Sequence, residues 1–276
     1  MSLESLPVQT SCPGCGGAGW FLLKVPYGHP DFAKPQRCRC NQEHIARART
    51  RLGDELADLA ECRFDTFDIS RPLEVLYLWG QKFCPVAQVD WLDEREQEKL
   101  KPLPPDFQAK KLAEAFGVVQ EFARLPRGWL FLTGACGAGK SHLAAAAAND
   151  LADRGADVRY CTLPGLLDTI KANFGRREGD GQSTSDAVFQ DIRGCEVLVL
   201  DDLGAEHFTD WAKERVFLLL QARQGKPTIV TSNYDMDALA HPREIDGARI
   251  VSRLFGSSRR VWFPISDYRR LRGVQA

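Results

Sequence analysis

No run of about 18 apolar residues occurs in this 276-residue chain, so no segment reads as a membrane span. Residues 1–10 have neither a basic start nor an apolar stretch of the kind that marks a secretory signal, which points to the cytoplasm. An excess of charge of one sign is missing too. The 36 Lys and Arg against 37 Asp and Glu leave a formal net charge of −1, which by itself says little about partners. No internal repeat and no long low-complexity tract is visible, so a solenoid is not indicated. What remains is a 44% apolar composition and a length that suits one large α/β domain plus a small accessory module. Charge is concentrated near the end: from residue 243 onward eight arginines face three acids, a local balance of +5.

Cysteine is not scarce. Of nine cysteines, four cluster at the front as Cys12-Pro-Gly-Cys15 and Cys38-Arg-Cys40. The first pair, with Pro and Gly inside and further glycines behind it, resembles a zinc knuckle whose turn aims two thiolates at one tetrahedral ion. The second pair has a one-residue gap and is the less specific half. Structural Zn²⁺ on Cys12, Cys15, Cys38 and Cys40 is the expectation; a set of free buried or redox thiols is the alternative. Cys62, Cys84, Cys136, Cys161 and Cys195 are scattered and read as packing residues.

The densest chemistry lies mid-chain. The apolar run Trp129-Leu130-Phe131-Leu132 leads into Gly134-Ala135-Cys136-Gly137-Ala138-Gly139-Lys140-Ser141, followed by His142 and an alanine-rich stretch. Glycines let successive backbone N–H groups converge on a phosphate chain, and the helix N-terminus beyond adds partial positive charge. Lys140 can then reach the β- and γ-phosphates and the Ser141 hydroxyl can ligate Mg²⁺. These nine residues, Gly134 to His142, are the expected ATP-binding segment. Downstream, Val197-Leu198-Val199-Leu200 ends in Asp201-Asp202. A continuous apolar run is what a buried parallel strand looks like, and ligands of open α/β sheets gather at the carboxyl ends of such strands. Asp201 is placed for the Mg²⁺ shell, and Asp202 for orienting or deprotonating the attacking water.

The periodicity divides the chain into a cysteine-rich zinc-binding module at 1–45, a helical linker at 46–63, and an ATPase domain at 64–276 with an insertion at 72–107 that is partly helical and carries no chemistry. Strands are expected at 128–132, 158–162, 196–200, 227–231 and 260–263, and helices at 110–125 and 141–154. A polar, glycine-rich loop is expected at 175–185. This alternation predicts a parallel sheet with helices on both faces.

Three segments in order, 131–143, 198–204 and 228–233, resemble the phosphate loop, acidic strand and sensor strand of AAA+ ATPases. Within that superfamily they are most similar to bacterial helicase loaders of the DnaC/DnaI type. Residues 247–254 resemble the arginine-bearing box of those loaders and residues 261–269 their C-terminal strand, so the resemblance spans about 64–272. It implies an AAA+ sheet preceded by a zinc-ribbon-like module, and ATP-dependent loading of a DnaB-type replicative helicase onto single-stranded DNA. It further implies Asn233 as the polar sensor near the γ-phosphate, Arg253 as the arginine finger with Arg249 one turn earlier as a second choice, and self-association through the nucleotide interface. Phe64 and Phe67 resemble the aromatic segment that lines the adenine pocket. Asp202 stands where most AAA+ proteins carry Glu, which implies slow, switch-like hydrolysis. Transposition helper ATPases of the IstB type, which act on double-stranded target DNA, share most of these motifs.

Overall fold

The computed structural model describes residues 20–22, 25–26, 35–37, 59–71, 73, 76–79, 82–85, 94–98, 101–172, 184–204, 209–234, 239, 252–254, 256, 258–265 and 267–268. Its core is a five-stranded parallel sheet made of β6 (Trp129–Gly134), β7 (Val158–Thr162), β8 (Val197–Leu203), β9 (Thr228–Ser232) and β10 (Ser258–Phe263). The spatial order is β10-β6-β9-β8-β7. All five expected strands are present, and β8 runs beyond its expected end through the two aspartates to Leu203.

The three central strands are buried on both faces, as the apolar runs Trp129–Leu132 of β6 and Val197–Leu200 of β8 require. Alternate side chains divide between two cores. Leu130 and Leu132 of β6, Val199 of β8 and Ile229 of β9 pack with Leu112, Val119 and Phe122 of helix α2 (Pro105–Arg124) and with the alanines of helix α3 (Lys140–Asp153). Trp129 and Phe131, with Leu198, Leu200 and Val230, pack on the opposite face against α4 (Leu163–Ala172), α5 (Thr184–Gly194) and α6 (Asp210–Ala222). The five consecutive alanines Ala144 to Ala148 are fully buried, so α3 presents small side chains on every side that meets the sheet or α2. Helix α2 starts at Pro105, earlier than periodicity alone indicates, because a proline at the first helical position leaves no N–H unsatisfied.

Within residues 72–107, beside one helical turn, α1 (Glu94–Gln97), lies a small sheet that the periodicity did not indicate: β3 (Leu76–Trp79) pairs antiparallel with both β4 (Lys82–Pro85) and β5 (Lys101–Leu103). Strands of three or four residues hold too few alternations for a period-2 pattern to stand out from charged surroundings. Near the front, β1 (Trp20–Leu22) pairs antiparallel with β2 (Pro35–Arg37). Cys12, Cys15, Cys38, Cys40, most of the 46–63 linker, residues 175–183 of the expected loop and Arg249 lie outside the described residues, while residues 184 and 185 of that loop are the start of α5. Among the described residues no group of three or more His, Cys, Asp or Glu side chains could hold a metal, and no helix is long and apolar enough to cross a membrane.

Candidate functional site

Parallel strands place all five carboxyl ends on one rim, and the sheet order decides which of them meet. The loop after β6, the acidic end of β8 and the residue after β9 become neighbours because β9 sits between the other two. Along this rim lies a cavity of about 600 Å³. Lys140, Ser141, Asp202 and Asn233 line one end of it; Leu59, Thr66, Phe67 and His142 line another part.

At the phosphate-loop end the polar side chains bond to the loop and to one another. The buried Lys140 ammonium donates to the carbonyls of Gly134 (2.9 Å) and Ala135 (2.8 Å) and to Asn233 Oδ1 (2.9 Å). Asn233 Nδ2 in turn donates to Asp202 Oδ1 at 2.9 Å, so one side-chain amide links the lysine to the second aspartate. Ser141 Oγ donates to Asp201 Oδ1 at 3.0 Å. Two residues that the sequence pattern did not single out hold Asp201 from behind: Tyr160 OH donates to Oδ2 at 2.7 Å, and the Thr231 hydroxyl bonds to Oδ1. Tyr160 reaches it from β7, whose Thr162 pairs with Asp201 in the ladder. No local spacing links Tyr160, Thr231 and Asp201; only the strand order does.

Asp202 is displaced from the ladder. The β8–β9 register shifts between Leu200 and Leu203, and Asp202 is the one described non-glycine residue with positive φ, at 63°. Aspartate tolerates this left-handed conformation better than most residues. The bulge turns the carboxylate away from strand pairing and toward Asn233, while Thr231 Oγ1 accepts the Asp202 N–H at 2.9 Å. Burial, and then the charge of Asp201, push the Asp202 carboxyl above its ordinary range, with Lys140 acting in the opposite sense.

The other part of the cavity is built from the segment before the small sheet. Phe67 packs edge-on to the His142 ring with centroids 5.2 Å apart. His142 Nε2 lies 3.2 Å from the Arg63 carbonyl, an acceptor only, so this nitrogen carries a proton. Burial, opposed by that bond, lowers the His142 pKa and keeps the ring neutral near pH 7. Phe64 does not line the cavity; it stands edge-on to Phe116 at 5.6 Å, in the core beneath α2. Cys136 is exposed on the loop, not packed as expected, because a phosphate loop turns backbone and not side chains toward its ligand. Arg253 is outside the cavity lining, with its guanidinium 5.6 Å from the Phe217 ring of α6.

A glycine-rich loop closing onto a helix N-terminus, a lysine at that N-terminus, and a helix hydroxyl bonded to a carboxylate of a parallel strand are the parts of a phosphate-loop nucleotide site. Residues 119–241 of this chain match the family model described as IstB-like ATP binding protein. Its relatives include the replicative helicase loader DnaC of Escherichia coli (strain K12), 28% identical over 165 residues that make up 59% of this chain and 64% of that protein. The replicative helicase loader DnaI of Bacillus subtilis (strain 168) is 29% identical over 137 residues, 45% of this chain and 42% of DnaI. An ATP-binding protein of an insertion sequence in Mycobacterium tuberculosis (strain ATCC 25618 / H37Rv) is 27% identical over 144 residues, 51% and 55% of the two chains. The chain therefore spans less than two thirds of the length of these relatives. Among solved structures, the crystal structure of DnaI superposes with a TM-score of 0.51 at 21% identity, over 76% of this chain and 92% of that one, which establishes a shared fold.

Proposed function

We propose that this protein is an ATP-dependent loader that places a DnaB-type replicative helicase on single-stranded DNA in the cytoplasm. ATP binding would drive assembly and hydrolysis would drive release. The observation that carries the reading is the convergence of Lys140, Ser141, Asp202 and Asn233 on one cavity, with Asp201 bonded to Ser141 behind them, in a chain whose relatives include two helicase loaders.

The residues present fit a magnesium nucleotide. Mg²⁺ prefers oxygen donors, and the Ser141 hydroxyl and Asp201 carboxylate already face each other at 3.0 Å. When bound there, the ion neutralises charge on the β- and γ-phosphates. Lys140 must exchange its loop carbonyls and Asn233 for phosphate oxygens, which frees Asn233 Oδ1. Asn233 Oδ1 can then accept from the attacking water beside the γ-phosphate, while Nδ2 still holds Asp202. Asp202 orients the attacking water, and a raised carboxylate pKa makes it a stronger base once ionised. Its side chain is one methylene shorter than Glu, and slow turnover follows from the longer reach to water. Arg253, with Arg249 as the second choice, acts on the nucleotide of an adjoining copy.

The four front cysteines belong to the same proposal as a structural zinc site. In the two-stranded ladder Trp20 pairs with Arg37, so the chain enters from the first cysteine pair and leaves toward the second at the same end. Purified protein should contain about one equivalent of zinc, and the double variant Cys12→Ser/Cys15→Ser should lose it while the ATP-binding domain stays folded. Zinc-free protein with an intact N-terminal ladder would exclude the site.

The test of the main reading is capture of the helicase. Tagged protein with ATP should retain the replicative helicase of its own source and promote its transfer to single-stranded DNA. ATP-dependent filaments on double-stranded DNA without helicase capture would favour the transposition-helper reading, for which the insertion-sequence relative speaks.

A further inference from the structure

Arg71 presents a buried cation that the fold itself does not use up. It is 6% exposed, yet among the described residues its Nε has no hydrogen-bond partner. Arg223 shows what a structural buried arginine looks like in the same molecule. It is fully buried, and its Nε bonds to Thr228 Oγ1, its Nη1 to the Cys195 carbonyl, and its Nη2 to the carbonyls of Glu196 and Pro227. Every nitrogen of that guanidinium is occupied. A buried donor left unmade carries the full desolvation cost of the group, and a fold that needed Arg71 only as a strut would have paired it.

The position of Arg71 indicates what the missing partner is. Its Nη2 donates to the Ala138 carbonyl of the phosphate loop at 2.7 Å. Its Nη1 lies 3.3 Å from the point where a Cβ on Gly139 would stand, directly before Lys140. Two aromatic rings hold the guanidinium there, Phe67 on one contact and Tyr268 on another, each with its centroid 5.1 Å from Cζ. Tyr268 is itself fixed to the loop, its N–H donating to the Gly137 carbonyl at 3.2 Å. The nearby Asp68 carboxylate accepts from Ser70 N and Oγ, at 2.9 and 2.8 Å. Arg71, Phe67, Tyr268 and Lys140 all line the same cavity.

We propose that Arg71 is a nucleotide ligand: a guanidinium outside the phosphate-loop motif that pairs with the phosphate chain of the bound nucleotide. This rests on the ATP-binding reading above and adds a second cation to it, supplied by the segment before the small sheet. The aromatic contacts pre-set the guanidinium, so less side-chain freedom is lost when phosphate arrives. Arg71 also ties occupancy of the loop to the seating of residues 59–71 and of the tail at Tyr268.

The test is nucleotide titration of the full chain with a fluorescent ATP analogue, competed by ATP, ADP and adenosine, for wild type, Lys140→Ala, Arg71→Ala and Arg71→Lys. Arg71→Ala should weaken ATP and ADP by about tenfold or more, the loss expected for a charge-assisted contact, and leave adenosine competition unchanged. Arg71→Lys should recover part of the phosphate affinity. Should Arg71→Ala not fold, Arg71→Met keeps the stem between the rings and serves as the neutral variant. Unchanged affinity overturns the proposal. So does tighter binding, which would make Arg71 a side chain that the nucleotide displaces, and so does an equal loss for ATP and adenosine. If Lys140→Ala loses ATP while Arg71→Ala does not, only this inference fails; if wild type itself binds no ATP, the nucleotide-binding reading fails with it.

Discussion

Asp202 combines three conditions that a carboxylate elsewhere in the molecule would avoid: a left-handed backbone, partial burial and a second carboxylate as its chain neighbour. The sign of the consequence follows from linkage. A carboxyl whose pKa is raised in the folded state contributes stability below its unfolded pKa, and that contribution is lost as pH rises through the folded value. At neutral pH the ionised Asp202 therefore works against the fold. Asp202→Asn should raise the melting temperature at pH 7.5, by a stabilisation within about 1 kcal/mol for so exposed a group. The charge difference should shrink as pH falls through the raised folded pKa and vanish only below the unfolded value of about 3.9, where wild-type Asp202 is protonated in both states. The bond from Asn233 survives, since an amide oxygen accepts as well as a carboxylate oxygen. Hydrolysis should fall together with the rise in stability. A scanning-fluorimetry series from pH 4 to pH 8 beside a phosphate-release assay reads both, and a variant less stable at pH 7.5 would contradict the assignment. Two companion substitutions separate binding from chemistry. Lys140→Ala should weaken ATP binding by roughly ten- to a hundredfold. Asp201→Asn should keep binding and lose Mg²⁺-dependent turnover, because the hydroxyls of Ser141, Tyr160 and Thr231 converge on that one carboxylate. Turnover equal to wild type in either variant would remove the site from this cavity.

Between elements, the contact that sets the loop is the pairing of β6 with β10. Gly134 is opposite Phe263 in the parallel ladder, with φ at 154°. A Cβ there would stand 2.3 Å from the Phe263 carbonyl oxygen, which is backbone and cannot rotate aside. Gly134→Ala should therefore push β10 off β6 and cost about 2–4 kcal/mol, read as a lower urea midpoint with nucleotide affinity reduced in parallel. A midpoint equal to wild type would mean that the strand end is loosely held. The same scale explains what was legible in the sequence. The five strands, helices α2 and α3 and the phosphate loop are written in consecutive residues, where apolar runs, a 3.6-residue period and glycine spacing each act locally. The bulge at Asp202 was not legible, because it arises from the mismatch of β8 against β9. Tyr160, Thr231 and Arg71 were not legible either. The strand order β10-β6-β9-β8-β7 brings Tyr160 and Thr231 to Asp201, and Arg71 reaches the phosphate loop from the segment before the small sheet. Phe64 and Phe67 looked equivalent in sequence and both pack on Phe116, yet Phe67 also lines the cavity and Phe64 does not.

At the scale of the whole molecule, the partner proposed for this site is a second copy of the chain. Arg253 lines no part of its own nucleotide cavity and stands over Phe217 on α6. If it acts as a finger it acts in trans, stabilising charge that develops on the γ-phosphate held by the adjoining copy. Arg253→Ala should then leave ATP binding by the isolated chain nearly intact, while removing ATP-dependent assembly on single-stranded DNA and any hydrolysis stimulated by it. Loss of the cation over Phe217 accounts for no more than about 1 kcal/mol of stability at a partly exposed site, too little to mimic that outcome by unfolding. Mixing separates a shared site from two independent ones. Arg253→Ala protein keeps its nucleotide site and lacks the finger; Lys140→Ala protein lacks the nucleotide site and keeps the finger. In a mixed assembly, an Arg253→Ala nucleotide site facing the Arg253 of a Lys140→Ala neighbour is complete. Hydrolysis by the mixture should therefore exceed the sum of the two variants alone, rising to a maximum near equal proportions. Light scattering on the same samples confirms that mixed assemblies form. Assembly without recovered hydrolysis would leave Arg253 as a surface residue packed on Phe217, and Arg249 would become the residue to substitute next.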